Sequence, residues 1–155
     1  MSISVRLKSF LDENGVKYVT ITHSRAYTAQ EVAESCHVPA KDLAKTVMIH
    51  ADGNFMMTVV PGSRRISFPL LKAIVNADEI RLATEGEFKG LFPECQAGAM
   101  PPFGSLYGLP VYADNALSED EDIVFNAGNH TEAIRMRYAD FQRLARPAFG
   151  NFTHV

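Results

Sequence analysis

The segment Gly98-Ala99-Met100-Pro101-Pro102-Phe103-Gly104 constrains this chain more than any other. Two adjacent prolines fix backbone torsions and remove two N–H donors, so neither a helix nor a central strand can run through it. Glycine at each end permits torsions closed to other residues, or the close approach of a ligand. The segment therefore reads as a stiff loop with an aromatic, Phe103, that looks exposed. Two roles are open to such a loop. It is a structural crossover, or it holds backbone N–H groups ready for a ligand. Its company, Lys45 on one side and the turn Ala127-Gly128-Asn129-His130 on the other, favours the second.

Periodicity on either side of this break predicts one domain over residues 1–155. Ser4–Glu13 carries Val5, Leu7, Phe10 and Leu11 on one helical face and stops at Asn14-Gly15. Val16–Thr22 is β-branched and reads as a strand. Thr28 and Glu31 have capping-box spacing for a helix through Ser35, and Thr84 and Glu87 repeat it. Ala44–His50 and Phe55–Val60 form a hairpin about Asp52-Gly53. Ser67–Ala77 is a helix with Pro69 in its first turn. Strands follow at Leu109–Ala113, Asp122–Asn126 and Ala133–Arg137, and Asp140 caps a last helix, Phe141–Ala145. Helices and strands mix without regular alternation. The expected class is α/β of α+β-like character, a mixed, mostly antiparallel sheet or partial barrel flanked by helices.

Composition narrows the function. With 155 residues, 46% of them hydrophobic, the chain can bury a full core. A net charge of -3 gives no reason to expect broad non-specific nucleic-acid binding, although a local basic face could draw on Lys41, Lys45, Arg64, Arg65, Lys72 and Lys89. No apolar run approaches 18 residues and no signal core opens the chain, so a cytoplasmic protein with no membrane partner is expected. Cys36 and Cys95 have no ligand spacing and read as small buried residues of a reducing compartment. No HxxxH, CxxC, GxSxG, GxGxxG or phosphate-loop motif appears, so neither a metal nor a nucleotide cofactor is expected.

Four places remain for chemistry. Lys45 enters an apolar strand, where its ammonium needs water, a partner or a ligand. It is a snorkelling surface lysine or an anchor for a phosphate or carboxylate. Thr46 follows and points to the opposite face if the strand is regular. His130 sits behind the Gly128 turn, either as an exposed turn residue or as a hydrogen-bonding or proton-shuttling group. His23 ends the first strand and could line the same cleft.

Taken together, Ala44-Lys45-Thr46-Val47, Asp52-Gly53, Gly98 to Gly104, Leu109-Pro110-Val111-Tyr112-Ala113-Asp114 and Phe125-Asn126-Ala127-Gly128 resemble the YbaK/prolyl-tRNA-synthetase-associated editing domains in order and spacing. The resemblance runs from Ser4 to Phe149. It implies a mixed sheet with flanking helices, and hydrolysis of an amino acid from mischarged tRNA. The amino acid would be small, and tRNA-Pro is one candidate carrier. The tRNA acceptor end would be the partner, with an aminoacyl-tRNA synthetase as an optional second one. It also implies catalytic roles for Lys45, as a clamp on the terminal adenosine's phosphate, and for Gly98 and Ala99, whose amides meet the ester carbonyl. Thr46, His23, Pro101, Pro102, Phe103, Gly128 and His130 would contact substrate. Ala133 stands about where the cysteine-editing branch has an acid, which argues against a copy of that specificity. No protein nucleophile or metal is needed, because an aminoacyl ester is already activated. A water held by the adenosine's free hydroxyl and backbone donors for the oxyanion can suffice. Two other classes fit the same residues, a non-catalytic tRNA- or nucleotide-binding module and a hydrolase of another small ester.

Overall fold

The structure is a computed structural model and describes residues 4–155. Its elements follow the hydrophobic pattern closely. Helix α1 (Val5–Glu13) is capped by the Ser4 hydroxyl, which accepts from the Leu7 N–H, and it buries Leu7 and Leu11. Strand β1 is Tyr18–Thr22, and helix α2 is Ala29–Ser35 with both halves of the Thr28/Glu31 capping box formed. Strands β2 (Ala44–Ala51) and β3 (Asn54–Pro61) pair antiparallel, with Ala51 opposite Asn54. The two-residue turn between them has φ of 48° at Asp52 and 85° at Gly53, the mirror-image turn that matches strand twist.

A short strand β4 (Arg65–Ile66) leads to α3 (Phe68–Val75), then β5 (Ile80–Leu82) and α4 (Glu85–Phe88). After the glycine-proline segment come β6 (Val111–Asp114), β7 (Asp122–Asn126), β8 (Glu132–Arg137), α5 (Tyr138–Ala145), β9 (Ala148–Gly150) and β10 (Thr153–His154). The last helix starts earlier than the expected Asp140 cap. Tyr138 donates its N–H to the Glu121 carbonyl at 2.9 Å, and this turns the chain out of β8 at once. Asp140 falls in the first helical turn instead, where its charge suits the helix dipole.

The strands make three sheets, in the orders β1-β8-β7, β5-β2-β3-β6-β9 and β10-β4. Most pairings are antiparallel; β3-β6 and β6-β9 are parallel. No closed barrel forms among the described residues, because the strands fall into three separately paired sheets. One bridge joins the two larger sheets, where Leu43 lies parallel to Val124. The main core fills the space between them with Leu7, Leu11, Met57, Phe103, Phe125 and Phe141, all fully buried. A second cluster under α2 holds Ala26, Val32, Leu43, Val124 and Ala133. No described helix is long and apolar enough to cross a membrane.

Candidate functional site at the Gly98 loop and the Gly128 turn

The glycine-proline loop is tied by backbone to the turn between β7 and β8. Gln96 donates its N–H to the Gly128 carbonyl at 2.7 Å, and Gly128 returns its own N–H to the Ala99 carbonyl at 2.9 Å. Both glycines have positive φ, 83° at Gly98 and 98° at Gly128. At Gly128 a side chain would also press on Ser4, whose Cβ lies 3.1 Å from the place a Cβ would take. His130 completes the splice. Its N–H donates to the Gln96 side-chain oxygen at 3.0 Å, and its Nε2 lies 2.9 Å from the Ala97 carbonyl.

That last contact determines the histidine's chemistry. A carbonyl can only accept, so Nε2 carries the proton and Nδ1 of the neutral ring is a bare acceptor. Nδ1 is buried and has no partner. His23 repeats the pattern. Its N–H donates to the Thr131 carbonyl at 2.8 Å, its Nδ1 donates to the Ser24 carbonyl at 2.7 Å, and its Nε2 is buried and unpartnered. Both histidines are only 8% exposed. A buried polar atom without a partner costs about 1–3 kcal/mol, so two at one edge of the fold call for a ligand that satisfies them.

Lys45 lies near the start of β2. A parallel bridge just before it joins Leu43 to Val124 of β7. Lys45 stands opposite Val60, is half-buried, and makes no hydrogen bond or ion pair among the described residues. Burial, and secondarily the charge of Arg65, holds its pKa below the ordinary lysine value. An ammonium desolvated this far without an acid beside it is prepared for an anion. Asn126, at the end of β7, adds a buried side-chain oxygen with no partner.

The expected site residues separate on this geometry. The structure ties the Gly98 loop to Gly128 and His130 by hydrogen bonds through Gln96, Ala97 and Ala99, and His23 bonds to Thr131, one residue along the same turn. Ala99 is fully buried and its N–H donates to the Gln96 carbonyl at 3.0 Å, so that amide closes the loop rather than waiting for an ester. The Gly98 N–H instead faces the Met100 Sδ at 3.2 Å, a weak acceptor that an oxyanion would displace. Thr46 lies on the sheet face opposite Lys45, paired with Val59 on the main-core side, and its buried hydroxyl has no partner. Pro101 and Pro102 are buried.

Phe103 departs most from expectation. Rather than an exposed aromatic over the substrate, it is a fully buried centre of the main core. Phe10, Phe125 and Phe141 stand edge-on to it at ring-centre distances of 5.6, 5.6 and 5.8 Å. Its prolines reverse the chain and drive the ring inward, and next to the site only the loop's glycine end remains. Asn126 and Gln96 were legible only as parts of the Phe125–Gly128 and Gly98 segments, since neither type in isolation signals chemistry. Gln96 holds His130 in place and Asn126 offers an acceptor.

Some cations elsewhere are paired with acids. A surface hollow of about 220 Å³ beside Lys17, Tyr18 and Arg137 includes Arg135, which pairs with Asp122 at 3.4 Å, while Arg137 faces Glu121 at 3.7 Å. Among the described residues no three His, Cys, Asp or Glu side chains gather as a metal site.

The multifunctional Ser/Thr-tRNA deacylase ProXp-y of Escherichia coli K12 is 26% identical over 152 residues, covering 95% of this chain and 90% of that protein. A proline–tRNA ligase of Staphylococcus saprophyticus is 30% identical over 130 residues, and there the match covers 83% of this chain but only 22% of the ligase's length. A solved structure of a candidate trans-editing enzyme for prolyl tRNA synthetase superposes with a TM-score of 0.83 at 21% identity, over 99% of this chain and all of that one, and shows the shared fold. The model of the aminoacyl-tRNA editing domain matches residues 23–144, a span that opens at His23 and takes in Lys45, the Gly98 loop and the Gly128 turn. The chain belongs to the aminoacyl-tRNA editing domain family.

Proposed function

We propose that this protein is an aminoacyl-tRNA deacylase that hydrolyses the ester of a mischarged tRNA in trans. The observation that carries the proposal is the pair of histidines with buried, unpartnered acceptor nitrogens, one of them bonded to the Gly98 loop; the unpaired, half-buried Lys45 on β2 supports it. These groups suit the end of an aminoacyl-tRNA. Lys45 supplies a compact positive charge for a backbone phosphate. The Gly98 N–H, released from the Met100 sulfur, donates to the ester oxygen as it gains charge. His130 Nδ1 and His23 Nε2 accept hydrogen bonds from the aminoacyl end.

Attack is by a water held against the free hydroxyl of the terminal ribose. The breaking bond is the acyl C–O bond, and the departing ribose oxygen takes the proton that the water gives up. The chain contributes positioning and oxyanion stabilisation, which suit an ester that is already activated. The name of the Escherichia coli relative supports a small amino acid such as serine or threonine, and the ligase match supports tRNA-Pro as a carrier. A synthetase that generates the mischarged tRNA is the natural second partner, and the cytoplasm the natural compartment.

The deciding experiment is a deacylation panel, in which seryl-, threonyl-, alanyl- and cysteinyl-tRNAs on cognate and non-cognate carriers are each incubated with the protein. Release of at least one amino acid at a rate well above spontaneous hydrolysis is expected. Tight tRNA binding with no release across the panel would make the protein a binding module. Release from simple amino-acid esters but from no tRNA would make it a hydrolase of another ester.

A further inference from the structure

The segment between β1 and α2 carries a group that the chemistry above does not use. Ser24-Arg25-Ala26-Tyr27 is irregular and is pinned to the site turn at both ends, by His23 N–H to Thr131 carbonyl at 2.8 Å and by Ala26 N–H to His130 carbonyl at 3.1 Å. Ala26 is buried beneath it, so Arg25 and Tyr27 on either side point outward. The Tyr27 ring lies with its centre 4.7 Å from the His130 ring, inclined at 46°. Yet Tyr27 is 62% exposed. The ring therefore touches a site histidine at a tilt and leaves most of its surface open to solvent. Thr28 immediately after it is the N-cap of α2, so the backbone under the ring is fixed by the capping box.

A tyrosine exposed to this extent contributes little to folding. An aromatic ring held against a site histidine, with an exposed arginine two residues away, has the composition of a single-stranded nucleotide platform. We propose that Tyr27 stacks the unpaired 3′-terminal nucleobase of the substrate RNA on its open face. This places the base on the outer side of His130 while the ester reaches Gly98. The inference rests on the deacylase proposal for the identity of the RNA, but not for the stacking itself.

The test uses a short RNA hairpin with a single-stranded 3′ end whose last base is 2-aminopurine, a fluorescent base quenched by stacking. The wild-type protein should quench it, and Tyr27→Phe should quench it equally, because the ring face is kept. Tyr27→Ala and Tyr27→Leu should lose the quenching and bind on the order of 10-fold more weakly. Thermal melting of each variant controls for folding, and the exposure of Tyr27 predicts wild-type melting for all three. In deacylation, Tyr27→Ala should raise KM for aminoacyl-tRNA with kcat little changed, and should leave hydrolysis of a base-free amino-acid ester unaltered. Absence of quenching by the wild type, or equal quenching by Tyr27→Ala, would overturn the proposal. Tyr27-dependent quenching with no deacylation of any tRNA would overturn the deacylase proposal and leave this one standing.

Discussion

Replacement of Phe103 tests whether the loop's aromatic belongs to the core or to the substrate. Its side chain is fully buried and three phenylalanine rings stand edge-on to it at 5.6 to 5.8 Å. Phe103→Ala removes a ring from a packed site, and truncations of this kind cost about 3–5 kcal/mol. The lost ring-ring terms, each about 0.5–1.5 kcal/mol beyond area, put the cost toward the upper end. For a domain of this size about 2–4 °C of melting temperature follows each kcal/mol, so a fall of about 6–20 °C is expected. Phe103→Leu keeps most of the volume and loses mainly the ring geometry, at about 1–2 kcal/mol. Urea denaturation read by circular dichroism gives the stability, and deacylation is measured well below the lower melting point. Phe103→Leu should show a lowered midpoint with near wild-type KM and kcat. A leucine variant that melts like the wild type but has a raised KM would refute the burial argument and return Phe103 to the substrate.

Three further outcomes follow from the geometry. Lys45→Ala should slow deacylation at least tenfold, about 1.4 kcal/mol of transition-state stabilisation, while stability holds or rises because a desolvated, unpaired ammonium is removed; full activity would remove the phosphate clamp. Gly98→Ala has room, since its Cβ would sit 3.7 Å from His130 Cε1, but at a φ of 83° it strains the loop by about 1–2 kcal/mol. Mis-aiming the Gly98 N–H should then cost on the order of 100-fold in kcat, and an unchanged kcat would show that this amide is not the oxyanion donor. The third concerns Asp120, whose side chain is almost wholly buried, with Oδ2 unpartnered and Oδ1 at 3.3 Å from Lys41. Burial, joined by the neighbouring Asp42 carboxyl and opposed by Lys41, pushes its pKa up to about 6. The folded state therefore holds this proton more tightly than the unfolded chain, whose value is near 3.8, and stability is lost as pH rises from about 4 through 6. Asp120→Asn should abolish that loss and stabilise the protein by about 1–2 kcal/mol at pH 7, after discount for screening at the exposed Lys41. Identical urea midpoints for the two proteins across pH 4–8 would exclude it.

The local elements were set by the sequence itself, because each follows from short-range chemistry. The Thr28/Glu31 and Thr84/Glu87 boxes, the Asp52-Gly53 turn and the Ser4 cap need only neighbours within four residues, and all of them form. Order and spacing of the Lys45, Gly98 and Gly128 segments were likewise enough to indicate the family. Strands β4, β5, β9 and β10, each two or three residues long, were not readable, since such short strands exist only through partners far along the chain. The site was only half legible for the same reason. Sequence alternation put Thr46 on the face away from Lys45, but only packing could turn Phe103 inward. Only the folded loop, closed by Ala99 N–H to the Gln96 carbonyl, decided which of its amides stays available, and only the long-range contact of His130 with Ala97 decided which nitrogen of His130 is bare. Hydrogen-bond roles at a site depend on which groups arrive from elsewhere in the chain, and their arrival is a property of the tertiary fold.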